Sequence, residues 1–128
     1  MRLLLDTHAL IWWMSGEVGL SRAAEAAIRD GNARIFVSAV SAYEIALKHA
    51  MGRLPQAGLL AERFEAEAEL EGFDLLPITV REASHAGSLD HKHRDPFDRL
   101  LIAQGLLNDL TIVSNEQLFD SFGVARLW

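Results

Sequence analysis

Asp95 and Asp98 stand three residues apart in Arg94-Asp-Pro-Phe-Asp98, directly ahead of the apolar run Leu100-Leu-Ile-Ala103. Two carboxylates at that spacing have two uses at the head of a helix. They can cap it. Asp95 fits an N-cap with Pro96 at the first helical position, where the missing N–H is no loss, and Asp98 falls at the third, where negative charge suits the helix dipole. They can also hold a hard cation, because residues three apart are neighbours on a helix surface. Capping alone explains both, and it is the stronger reading for Asp95.

Other acids raise the same choice. Asp6 follows Leu3-Leu-Leu5, a setting in which a charge is costly unless it is paired or metal-bound. Glu44 completes a capping box in Ser41-Ala-Tyr-Glu44. It also stands four residues before Lys48, the spacing of a surface ion pair worth roughly 0.3–0.5 kcal/mol. Its neighbours Ala42, Ile45, Ala46 and Leu47 point to partial enclosure. Glu116 lies in the cap-like Ser114-Asn-Glu-Gln117. Taken singly, each acid except Asp6 reads as structural. Gathered at one sheet edge they would repel one another unless a cation sat among them. An all-oxygen site suits Mg²⁺ or Mn²⁺, which activates water and stabilises charge on a phosphate.

The elements that must position these acids alternate along the chain. Strands are expected at Leu3 to Leu5, Arg34 to Val37, Phe73 to Ile78, Leu110 to Val113 and Val124 to Leu127. Pro77 places the third of them near an edge. Helices are expected at Ala9 to Met14, Arg22 to Arg29 with Ser21 as N-cap, Ser41 to Met51 ended by Gly52, Gly58 to Leu70 ended by Gly72, Val80 to Ala86, and Pro96 to Leu107, with a helical turn at Gln117 to Phe122. This order predicts an α/β fold, a three-layer α/β/α sandwich around a mostly parallel sheet of about five strands. The length of 128 residues predicts one domain. In such folds function lies beyond the carboxyl ends of the strands. Asp6, Ser38 and the group Ser114, Asn115 and Glu116 stand there.

Composition narrows the field. Twelve basic against 18 acidic residues give a net charge of −6, which excludes nucleic-acid binding by bulk positive charge. There is no cysteine, hence no disulfide and no thiolate metal site. The opening MRLLLDTHALIWWM is too short to span a bilayer and is interrupted by Asp6 and His8, so a cytoplasmic protein that does not enter membranes is expected. His85, His91 and His93 do not have zinc-site spacing. The loop carrying Lys92 and Arg94 either meets phosphates or is simply solvated. Arg99 and Lys48 either orient carboxylates or phosphate, or serve as plain ion-pair partners. His8 reads as a buried structural histidine, and Trp12 and Trp13 as core or interface. A haloacid-dehalogenase pattern needs a second Asp where His8 stands, and no Gly-x-Gly-x-x-Gly follows the first strand.

Four blocks, LLLDTHALIWW, SAVSAYEIALKHAMGRL, HKHRDPFDRLLIAQ and TIVSNEQLFDSFGV, together resemble a PIN-domain protein, most nearly the VapC-type toxins of bacterial toxin–antitoxin pairs. The resemblance runs from Arg2 nearly to the end of the chain. It implies a ribonuclease that hydrolyses RNA phosphodiesters with water activated by one or two Mg²⁺ or Mn²⁺ ions. Asp6, Glu44 and Asp98 match the first three family acids. Asp95 resembles an accessory acid, and Ser114 matches a small hydroxyl residue. Glu116 occupies a fourth position that is usually Asp, which is a departure from the family pattern. The resemblance further implies a cognate antitoxin, received by the early helices where Met14 and the segment Leu59 to Leu70 lie, and a homodimer. A PIN fold that binds RNA or protein without cutting is the competing reading.

Overall fold

The computed structural model describes residues 1–128. Five strands form one sheet: β1 (Arg2–Leu5), β2 (Arg34–Ser38), β3 (Asp74–Leu76), β4 (Thr111–Val113) and β5 (Arg126–Leu127). The order across the sheet is β3-β2-β1-β4-β5, and every neighbouring pair is parallel. The helices are α1 (Thr7–Ser15), α2 (Arg22–Arg29), α3 (Ala39–Ala50), α4 (Gly58–Leu70), α5 (Val80–Ser88) and α6 (Pro96–Asn108), with 3₁₀ turns at Pro55–Ala57 and Gln117–Phe122. None is long and apolar enough to cross a membrane.

Helices cover both faces of the sheet, so Leu3, Leu4 and Leu5 are all buried. Side chains alternate across a strand, and the three leucines divide accordingly. Leu3 and Leu5 join Ala9, Ile11, Ile28 and Leu60 on the face of α1, α2 and α4, while Leu4 joins Leu101, Ile102 and Phe119 on the face of α6. Gly105 lets α6 lie close to the sheet: a Cβ there would fall 2.7 Å from Val124 Cγ2 and 3.1 Å from Ile112. β3 is an edge strand, as Pro77 suggests, but it stops at Leu76.

Two helices begin earlier than their apolar residues indicate. α1 starts at Thr7, because Asp6 caps it by accepting from Ala9 N at 2.8 Å. α3 starts at Ala39, because the Ser38 hydroxyl accepts from Val40 N. The Ser41–Glu44 capping box is therefore not formed. Ser41 lies inside the helix, with its hydroxyl 3.0 Å from that of Thr7. α4 is kinked at Arg63 (φ −135°, ψ 42°), which breaks the expected amphipathic stripe. Leu60 is buried, Phe64 packs against the core, and Leu70 is 78% exposed.

Candidate active site

The strand order reverses at β1. The chain builds outward through β2 to β3, then crosses back to β4 and β5. A crevice opens at such a switch point, beyond the carboxyl ends of the strands on either side. Asp6 follows β1 and Ser114 follows β4. Leu5 and Val113 are register partners, and Asp6 N donates to Val113 O at 3.1 Å. Asp6 and Ser114 therefore meet at the mouth of the crevice.

Asp6 is 7% exposed. Burial raises its pKa, and the charge of Glu44 adds to the rise. Hydrogen bonds from Ser114 and Ala9 and the proximity of His8 oppose it only in part. Asp98 stands at the third position of α6, as its spacing predicts, below Asp95. The Asp95 carboxylate caps the helix by accepting from Phe97 N and Asp98 N. Burial, the neighbouring Asp95 and, least of the three, Asp6 push Asp98 up to about 6 against the opposing effect of His93. His93 Nε2 lies 2.9 Å from Asp98 Oδ2. Neither Asp6 nor Asp98 is paired with a lysine or arginine.

Glu44 is buried beside them and already has partners. Thr7 Oγ1 donates to Glu44 Oε1 at 2.6 Å, and Lys48 Nζ forms an ion pair with Glu44 Oε2. This is the expected four-residue pair, but it is enclosed rather than at the surface: Lys48 and Glu44 side chains are 19% and 5% exposed. Lys48 also lies over the Phe97 ring. Glu116 is exposed, and its carboxylate caps the 3₁₀ turn by accepting from Leu118 N at 3.0 Å.

No three His, Asp or Glu side chains are gathered closely enough to hold a metal ion. The donor chemistry nevertheless fits a hard cation at two of them. Asp6 and Asp98 are oxygen donors, the charge of Asp6 raises the proton affinity of Asp98, and no lysine or arginine pairs with either. The structure thus brings Asp6, Asp98 and Glu44 within electrostatic reach. It gives Asp95 and Glu116 to helix ends.

Two expectations change. Arg99 forms no ion pair with a carboxylate. Its guanidinium donates to the carbonyls of Ala86, Leu89, Asp90 and His93, tying the loop before α6 to the helix and setting His93 against Asp98. His8 is exposed, because α1 starts at Thr7 and turns residue 8 outward. A buried network behind the site was also missed. Gln104, fully buried, accepts from Ser38 Oγ at 2.5 Å and donates to Pro77 O and Glu82 Oε1, while Asn108 donates to Glu82 Oε2. Thr79-Val-Arg-Glu82 forms a capping box that was readable in the sequence.

The chain is similar in structure to FitAcB from Neisseria gonorrhoeae (TM-score 0.67, 19% identity, 97% of this chain and 95% of that one). It is also similar to VapBC2 from Rickettsia felis bound to a promoter DNA fragment (TM-score 0.69, 12% identity, 98% and 97%). A third match is VapBC-1 from nontypeable Haemophilus influenzae (TM-score 0.61, 16% identity, 98% and 96%). At these identities the likeness is one of fold. Among curated proteins none matches the chain. The PIN-domain family model matches residues 3–124, a span that holds Asp6, Glu44, Asp98 and the β1–β4 switch point. With sequence and topology in agreement, the chain belongs to the PIN-domain family.

Proposed function

We propose that the protein is a divalent-metal-dependent endoribonuclease, the toxin of a cytoplasmic toxin–antitoxin pair. The observation that carries this reading is the Asp6–Asp98 relationship. Both are enclosed at a switch-point crevice, burial raises the pKa of each, the charge of Asp6 raises that of Asp98, and neither is paired with a lysine or arginine. Family membership and the fold shared with a toxin–antitoxin complex from Klebsiella pneumoniae (TM-score 0.63, 19% identity) support the same class.

Asp6 and Asp98 would hold Mg²⁺ or Mn²⁺, one ion or two, with Glu44 joining when Lys48 releases it. Bound there, the ion would supply an activated water and neutralise charge developing on an RNA phosphodiester. The chain's own residues prepare the place. Ala9 N fixes the Asp6 carboxylate, with Ser114 beside it, and Thr7 fixes Glu44. His93, held by Arg99, orients Asp98. Asp95 and Glu116 support the site from helix ends.

An antitoxin segment fits the groove between α1 and α4, lined by Ile11, Met14, Leu59 and Leu60. A homodimer would cover Tyr43, Leu47 and Met51, which form one exposed stripe on α3. A second reading, a module that binds without cutting, is favoured by the hold of Lys48 on Glu44. Calorimetric titration with Mn²⁺ separates the two. The nuclease reading expects binding that is lost in both Asp6→Asn and Asp98→Asn. A folded wild-type protein that takes up no divalent ion contradicts it.

A further inference from the structure

Asp6, Ser114 and Trp128 stand in one row across the sheet edge. Leu5 pairs with Val113 and Val113 with Leu127, so the residue after each strand falls beside the next. Two strand spacings, roughly 10 Å, separate Trp128 from Asp6. The Trp12 ring rests against Trp128 with centroids 5.8 Å apart, and His8 rests against Trp12 at 5.7 Å. His8 and Trp12 lie one turn apart on α1, the helix that Asp6 caps. The Gly19 backbone closes on Trp12 so tightly that a Cβ would fall 2.3 Å from the indole. Trp12 is thereby clamped, and the aromatic series ends at an exposed ring two residues from Asp6.

We propose that the His8 ring, backed by Trp12 and Trp128, is a stacking platform for one unpaired RNA base beside the Asp6–Asp98 carboxylates. The proposal rests on the nuclease reading and names the substrate form that the site takes, a single strand. Aromatic rings, histidine included, hold splayed-out bases, and every base offers a face to stack on. With a net charge of −6 the chain has little general attraction for phosphates, which makes stacking a needed source of affinity. Trp13 does not share this role, since it packs on Phe73 and lies under Arg29.

The test is fluorescence anisotropy with a labelled single-stranded RNA in excess chelator, using wild type, His8→Ala and His8→Phe. A set of RNAs with one abasic position each accompanies them. His8→Ala should weaken binding about tenfold, and His8→Phe should stay within about twofold. One abasic position should weaken wild type but leave His8→Ala unchanged, a coupling that a merely structural role for His8 would not give. The proposal is overturned if His8→Ala binds like wild type, if its loss is the same on every abasic RNA, or if wild type binds none of the RNAs. Metal-dependent cleavage of cellular RNA by the same preparation would show that the nuclease reading outlives such a failure.

Discussion

Lys48 is locked onto Glu44 one helical turn before it, and both side chains are largely withdrawn from water. The ammonium supplies the positive charge that keeps a buried carboxylate tolerable next to Asp6. Lys48→Met should therefore destabilise the protein by about 3 kcal/mol, the lower end expected for breaking an enclosed pair from one side, because Thr7 still bonds Glu44. Mn²⁺ should raise the thermal midpoint of Lys48→Met more than that of wild type. Thermal unfolding with and without Mn²⁺ checks both, and an unchanged midpoint would show that the pair is not structural.

The raised pKa of Asp98 sets a pH dependence with a definite sign. Between its ordinary 3.8 and about 6, the folded protein holds a proton that the unfolded chain has released. Stability must then fall as pH rises through that window, by up to about 2–3 kcal/mol. Urea midpoints at pH 4 and pH 6.5 should show wild type losing ground against Asp98→Asn. Saturating Mn²⁺ should reverse the slope, since the ion binds the deprotonated form.

Glu82 works in the opposite sense. Burial alone would raise its pKa, but hydrogen bonds from Asn108, Gln104 and Thr79 outweigh burial and lower it from 4.5. Its contribution is present above that value and disappears as pH falls through the lowered one. Gln104→Ala would remove the acceptor of the Ser38 hydroxyl proton, the side-chain donor to Pro77 O and one of the donors to Glu82, so a loss of about 2–4 kcal/mol is expected by chemical denaturation. A loss below about 1 kcal/mol would mean that the network is replaceable by water.

Glu116 should matter less than Asp98. Its carboxylate is exposed and serves Leu118 N. Glu116→Gln should cut cleavage by no more than about tenfold, the lower end of the effect of a supporting group. A loss as complete as that of Asp98→Asn would put Glu116 at the centre of the site.

Much of this was legible because it is local. Asp95-Pro96 announces a cap, Ser21 announces α2, and alternating apolar runs announce an α/β sheet, since each signal acts within one turn or one strand. Ser38 was less legible. As the last residue of β2 it also caps α3, so the helix begins where the strand ends. The same kind of junction at Asp6 turned His8 outward. The pairing of Gln104 with Ser38 spans 66 residues, and that with Glu82 spans 22. Only the packed fold brings those groups together. The partners of Arg99 were hidden for a related reason: a guanidinium can serve carbonyls as well as carboxylates, and which it meets depends on how the loop folds back.

The most direct test of the nuclease reading is cleavage of total cellular RNA by the purified, partner-free protein. It should be run in Mn²⁺, in Mg²⁺ and in excess chelator, beside Asp98→Asn. Cutting that requires the metal and vanishes in Asp98→Asn is the predicted result. Cutting that persists in chelator, or that survives Asp98→Asn, would contradict the account.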